Sequence, residues 1–461
     1  MAEAPDEAVM SARARALLDQ GIRLSELDRA AEALVAEQEA VTIYRRLAAI
    51  EPGTFRPLLA DALASIGVTF SELDRPADAL AAEHEAVSIR RELAAADPDT
   101  HRADLAKALA SMGATLSALD RWAEALPVEE EAVDILWQGV AADPQSHLPD
   151  LAKTLSSVAV TYAELGRLGG ALDAGKESVA LFRQLAATDP GAYRADLATA
   201  LLNVGAQLTD LDRWAETLPV EEEAVVIHRE LATADPDRYS FDLADVLTNF
   251  SLTLAALDRT ADALEVEREA VAVRRRLAAN GSDHHGLHLA ISLVALGARL
   301  SDLGRTAEAV RAGQEAVAIL RRLARTDPER HLPNLATTLM SLGAALSAGD
   351  RWAEAMAAEQ EAVDLLRQLA ATGPDRHRAS LATVLTHLGV TLSELGRSSE
   401  ALNAEREAVA IRRQLTAADP DRYRLDLADS LNNLAVSLSE LGREKEARQA
   451  LDESEFIREN R

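Results

Sequence analysis

Cysteine is absent from the 461-residue chain, which excludes disulfides, thiol nucleophiles and thiolate metal centres and gives no support to a secreted fold. Aromatic residues make up only 3% while 48% are hydrophobic, so Ala and Leu supply most of the apolar surface. That composition suits closely packed helices better than sheets. No run of about 18 apolar residues occurs, so no segment reads as a membrane span. The opening MAEAPDEAVM lacks the basic start and apolar stretch of a signal peptide, and a cytoplasmic location is expected. Lysine is scarce as well: Lys107, Lys153, Lys176 and Lys445 are the only four, and the arginine bias with abundant alanine points to a GC-rich bacterial genome. Phosphate-loop, zinc-protease, nucleophile-elbow and calcium-loop motifs are all missing, so no catalytic residue, cofactor or metal is expected.

What the chain has in excess is negative charge, 76 Asp and Glu against 48 Lys and Arg for a formal charge of −28. A field of that sign repels phosphate backbones and anionic lipid, so neither nucleic acid nor membrane is expected as a partner. Basic protein segments are attracted.

The organisation shows in punctuation. Arg29, Arg75, Arg121, Arg167, Arg213, Arg259, Arg305, Arg351, Arg397 and Arg443 follow one another at intervals of 46 residues. Pro52, Pro98, Pro144, Pro190, Pro236, Pro328, Pro374 and Pro420 keep the same register, with Ser282 in the one vacant slot. A fixed period of this length marks a solenoid. Within a unit, Leu105, Leu109, Met112, Leu116 and Leu119 step by helical intervals, as do Leu381, Leu385, Leu388, Leu392 and Leu395. The first helix is expected to begin near Ala103, where other units carry Pro57, Pro149 and Pro333, and to run about 17 residues. The second starts after Asp-Arg or Gly-Arg, at Pro76, Trp122, Trp214 and Trp352. Ten units follow, approximately 11–56, 57–102, 103–148, 149–194, 195–240, 241–286, 287–332, 333–378, 379–424 and a polar capping unit 425–461, which suggests a complete array.

Gly67-Val68-Thr69-Phe70, Gly205-Ala206-Gln207-Leu208 and Trp352-Ala353-Glu354-Ala355 resemble the first- and second-helix signatures of tetratricopeptide repeats, in the long kinesin-light-chain-like form. A small residue recurs in every unit at Gly21, Gly67, Gly113, Ala159, Gly205, Ser251, Gly297, Gly343, Gly389 and Ala435, where two helix backbones must approach. The resemblance covers essentially the whole chain. It implies an all-α, right-handed superhelical solenoid of about ten antiparallel helix pairs, monomeric, with a concave face of first helices that binds a peptide or protein segment. The leading function is therefore a non-catalytic interaction scaffold. The alternative is a sensor or regulatory arm controlling a separate ATPase or protease-like effector.

Candidate groove residues follow by position. Two before the small residue stand Asn203, Asn249, His387 and Asn433, and six before it stand Lys107 and Lys153. Asn offers a donor and an acceptor to a peptide backbone. Where the family carries a second-helix aromatic, this chain has Glu37, Glu83, Glu129, Glu221, Glu267, Glu359 and Glu405, with Gly175 and Gly313 in two units. These glutamates read as inter-helix hydrogen bonders, or else as a row of ligand-binding carboxylates. The loop arginines read as caps of the first helix, salt-bridged to acids three residues earlier such as Glu26, Glu72 and Glu164. A ring column (Phe55, His101, Tyr193, His331 among others) reads as packing. His284 and His288 have metal-pair spacing, but the loss of Pro and the gain of Gly281 and Gly286 favour a hinge at 280–286.

Overall fold

The computed structural model describes residues 4–279, 281–372 and 374–459, and among them there are twenty α-helices and no strand. The chain divides into two compact units, Met1–Ile227 and His228–Arg461. The first holds α1 (Ala4–Ser25), α2 (Ala30–Ile50), α3 (Pro52–Glu72), α4 (Pro76–Ala96), α5 (Pro98–Ala118), α6 (Trp122–Ala142), α7 (Pro144–Glu164), α8 (Leu168–Thr188) and α9 (Pro190–Asp210). The division falls within α10 (Trp214–Ala234). The second unit continues with α11 (Pro236–Ala256), α12 (Thr260–Ala278), α13 (Asp283–Asp302), α14 (Thr306–Thr326), α15 (Pro328–Ser347), α16 (Trp352–Thr372), α17 (Pro374–Glu394), α18 (Ser398–Ala418), α19 (Pro420–Glu440) and α20 (Glu444–Glu459). Odd-numbered helices open a pair and even-numbered helices close it.

Each junction has a local cause. The first helix of a pair ends with one residue in the left-handed region, Asp28, Asp74, Asp120 and Asp212 in the first unit, with Gly166 in the same slot. The following arginine N–H then reaches back five residues, as from Arg29 to the Leu24 carbonyl at 2.9 Å and from Arg121 to Leu116 at 2.9 Å. This is the six-to-one closure of a helix C-terminus, which needs positive φ and explains why the slot holds only Asp or Gly.

The next pair opens on Asp-Pro. Asp189 accepts from the Ala192 N–H at 3.1 Å and Asp419 from Arg422 at 3.2 Å, with Pro190 and Pro420 at the first helical position. First helices therefore start at Pro98 and its equivalents, not near Ala103, and α3, α5, α7 and α9 have 21 residues rather than about 17. Pro57, Pro149 and Pro333 lie inside helices instead of opening them. The helix tolerates Pro57 so near its start because the carbonyl left without a donor belongs to Gly53, which faces solvent.

The loop arginines are also placed differently from expectation. Each precedes the second helix, and all but Arg167 pair forward, Arg29 with Glu32 and Arg351 with Glu354 among them, so the acids three residues earlier are not the partners of those nine. The forward acid lies in the first turn of the second helix, where a carboxylate also meets the positive helix end.

Packing is one-dimensional within each unit. First helices touch the second helices around them, as α3 touches α2 and α4 and α7 touches α6 and α8, and first helices of successive pairs also meet, α1 with α3, α5 with α7 and α7 with α9. The second unit repeats this for α13, α15, α17 and α19. Fully buried Ala33, Leu63, Leu109, Leu151 and Leu201 fill the first unit, and Leu247, Leu293, Ala336 and Ala382 fill the second. Alanines let the backbones approach and leucines fill what remains.

Candidate protein-binding face

The small-residue column and the glutamate column explain one another. A Cβ on Gly21 would stand 2.6 Å from Glu37 Cγ, one on Gly343 would stand 2.7 Å from Glu359 Cγ, and one on Gly389 would stand 2.6 Å from Glu405 Cγ. Each glutamate of the second helix thus lies flat across the first helix of its own pair. Its carboxyl passes on toward the next pair: Glu37 accepts from Ser65 at 2.6 Å, Glu83 from Ser111 at 2.6 Å and Glu129 from Ser157 at 2.5 Å. The second carboxyl oxygen of each is buried and unbonded among the described residues. Burial therefore pushes Glu83 and Glu129 above the ordinary range against the pull of their hydroxyl donors. Glu267, Glu359 and Glu405 are pushed up to about 7 by the same cause. These carboxyls are interior hydrogen-bonding groups, closed to any ligand.

The sequence-nominated groove residues fall on two columns and do not form one patch. Lys107 reaches Asp150 of the next first helix at 3.7 Å, and Lys153 reaches Asp196 at 3.7 Å. Asn203 donates to Ser156 Oγ at 3.5 Å and is half-buried. In the second unit Asn249 is exposed, while Asn433 is half-buried. His387 is exposed by area, yet the walls around its ring desolvate it and, with Arg412 nearby, hold its pKa below the ordinary value. The same column carries Ser65, Ser111 and Ser157, which turn inward to the glutamates, so it is shared between groove and interior.

A column the sequence reading passed over lies one residue after each small residue. Ile22, Val68, Ala114, Val160 and Ala206 in the first unit are all apolar and all exposed. Leu252, Ala298, Ala344, Val390 and Val436 continue it in the second. Val68 keeps 55% of its surface exposed and Val436 keeps 58%, although neither is needed by the core. The signal was available: an apolar residue repeats outside the helical core spacing. Six of the ten are Ile, Val or Leu left in water on one face of their helices.

Between α13 and α15 this column borders a socket of about 340 Å³ lined by Leu293, Ala298, Gly313, Leu342, Ala344 and Ala348. It exists because Gly313 stands where other second helices carry the glutamate, and the lining residues are small.

The histidines at the Gly281 junction pack as rings. His284, His285 and His288 gather on Phe241 with centroids 5.3, 5.9 and 4.9 Å away. Burial first, then His284, lowers the pKa of His288. Among the described residues no group of three or more His, Asp or Glu is arranged to hold a metal ion. Of the expected hinge, Asn280 lies outside the described residues, Gly281 has φ +79° and Ser282 precedes α13. Among the described residues no helix is long and apolar enough to cross a membrane.

The model of the tetratricopeptide repeat matches residues 59–99, 243–285, 289–327, 335–374, 381–420 and 427–454, together half of the chain. No curated protein sequence matches. Among solved structures, BtubC (BKLC) from P. vanneervenii is similar at 19% identity and a TM-score of 0.44, over 53% of this chain and 91% of that one. A Podosopora anserina chain of nearly identical TPR-like repeats, of kinesin light chain type, shares 22% identity at a TM-score of 0.35, over 46% and 93%. A STAND protein with a tetratricopeptide repeat sensor, PH0952 from Pyrococcus horikoshii, shares 11% identity at a TM-score of 0.50, over 82% of this chain and 53% of that one.

Proposed function

This chain belongs to the tetratricopeptide repeat family, whose arrays bind proteins or peptides, and on that premise we propose that it is a non-catalytic, cytoplasmic scaffold holding a peptide or protein segment along its first helices. The observation that supports this reading is the exposed apolar column from Ile22 to Ala206 and from Leu252 to Val436. Apolar side chains of the ligand would lie on that column and one would enter the socket beside Gly313. Asn203, Asn249, Asn433 and His387 would meet the ligand backbone from the flanking column, and Lys107 and Lys153 would meet its acidic groups.

The test is a peptide display selection on the wild-type chain, followed by rebinding to two variants. Val160→Glu with Val390→Glu changes the first-helix column. Val35→Glu with Val226→Glu changes exposed valines of second helices and serves as the control. The selected peptides should lose the first variant and keep the control. Equal binding to both would move the site off the first helices.

A further inference from the structure

The exposed edge of the second helices is built as a ladder with one rung missing. An arginine near the end of each second helix grips a glutamate 40 residues later on the next one. Arg45 holds Glu85 through Nε at 3.2 Å and Nη2 at 2.5 Å, and Arg91 holds Glu131 and Arg183 holds Glu223 in the same way. In the second unit Arg229, Arg275, Arg321, Arg367 and Arg413 grip Glu269, Glu315, Glu361, Glu407 and Glu453. The rung between α6 and α8 should join residue 137 to Glu177. Position 137 is Trp, with 39% of its surface exposed, and Glu177 forms no ion pair among the described residues.

A second ladder breaks at the same place. Nine of the ten loop arginines find an acid three residues on. Arg167 meets Gly170, where an added Cβ would stand 3.3 Å from the ring of Tyr162. Beside Gly170 lies a cleft of about 710 Å³, lined by Glu130, Val133, Asp134, Tyr162, Asp173 and Glu177 among others. That is the size of a ligand cleft, about 300–1,000 Å³. Glu130, Val133, Asp134 and Trp137 share one face of α6 by their spacing, and Gly170, Asp173 and Glu177 share one face of α8. Tyr162 donates to Glu130 at 2.5 Å, which fixes its ring on the cleft wall and raises its pKa. Lys176, the one cation of the lining, is turned to Glu216 at 3.6 Å. None of Asp134, Asp173 and Glu177 is neutralised by an ion pair among the described residues.

We propose that this cleft is a docking socket for an arginine side chain carried by a basic segment of a protein partner. The acids alone would not make a site. The independent observation is that the same glutamate column, in every neighbouring rung, holds a guanidinium by two parallel bonds, so the geometry Glu177 presents is one this chain already uses to bind arginine. A planar guanidinium matches a carboxylate in that fork and stacks on aromatic faces, and the Tyr162 ring lines the cleft. The partner supplies the cation that residue 137 does not. This surface is on the second-helix edge and stands independently of the first-helix groove.

The test uses the full chain and a fluorescein-labelled Gly-Gly-Arg-Gly-Arg-Gly peptide, with citrulline and lysine counterparts, read by anisotropy at moderate salt. Trp137→Arg places the missing guanidinium within the chain; it should occupy Glu177 and weaken the arginine peptide by about tenfold or more. Glu177→Gln should weaken it by about the same factor. Val35→Arg adds the same charge on α2 and should change binding less than about twofold, since exposed charges beyond a Debye length are screened. The citrulline peptide should bind no better than to Trp137→Arg. Equal loss in Val35→Arg and Trp137→Arg, or equal binding of arginine and citrulline peptides, would overturn the proposal. Melting temperatures of the variants within a few degrees of wild type would show that each is folded, and Trp137→Arg, which completes a rung, is not expected to unfold the chain.

Discussion

Replacing Glu359 by Gln removes a proton-binding group from the interior while keeping its shape. The carboxyl is 1% exposed and titrates at about 7 against an ordinary 4.5, because burial outweighs the one hydrogen bond from Thr391. The sign follows from which state holds the proton. Between those two values the folded chain keeps the proton and the unfolded chain has lost it, so stability falls as pH rises through this window and levels off above it. The full loss is on the order of 3 kcal/mol, of which about 2 kcal/mol falls between about pH 5 and about pH 8. Glu267 and Glu405 add terms of the same sign. Urea denaturation across that range should show wild type losing stability toward high pH and Glu359→Gln losing less, with the variant the more stable of the two at about pH 8. The general relief of repulsion in so acidic a chain is removed by comparing Glu354→Gln, an exposed carboxyl lowered by its hydrogen bond with Arg351. Identical pH slopes for wild type and Glu359→Gln would refute the reasoning, since the buried carboxyl would then be titrating as it does in the unfolded chain.

Three further outcomes test the packing logic. Gly343→Ala should destabilise by about 1 kcal/mol net, overpacking against Glu359 outweighing the helix propensity gained, whereas on a Glu359→Ala background the same change should stabilise; chemical denaturation of the four proteins reads the change of sign. Asp350→Gly should stabilise by about 0.5 kcal/mol, because φ there is 55° and Gly already fills the slot at Gly304 and Gly396; a lower melting temperature would contradict it. Hydrogen exchange should find the amides of Gly281 to Gly286 less protected than those around Asp327 and Pro328, as a hinge requires; equal protection removes the hinge.

The fold was legible because the 46-residue register is unbroken and leucine spacing within it is helical. Helix starts are ambiguous in the sequence because two prolines compete for the first turn, Pro328 and Pro333 for example, and the Asp327 cap, accepting from the Arg330 N–H, distinguishes them. The arginine partners were misjudged for a related reason. A residue with acids three before and three after can pair either way, and the positive-φ residue before it aims the side chain forward onto the next helix. The groove was only half legible. Ser65, Ser111 and Ser157 share a column with Asn203 and Asn249, and polarity alone does not say which of them turns inward to a glutamate from the previous pair.

The exceptions to the repeat fall into two kinds, those in the core and those on the surface. The core exceptions differ: Ala159, larger than the usual glycine, belongs to the pair whose second helix carries Gly175 in place of glutamate, whereas Gly313 stands in the pair of the usual Gly297, where the socket lies open. A core change costs up to a few kcal/mol by cavity or clash unless a second change offsets it, as Gly175 does for Ala159. Surface exceptions need no such match, because an exposed ion pair contributes about 0–1 kcal/mol. Trp137 and Gly170 are unmatched: Trp137 takes away the cation that would pair with Glu177, and Gly170 takes away the acid that Arg167 would meet. Stability neither demanded that combination nor resists it. The cleft between α6 and α8 is accordingly the first place where a partner should be sought by its chemistry rather than by its position in the groove.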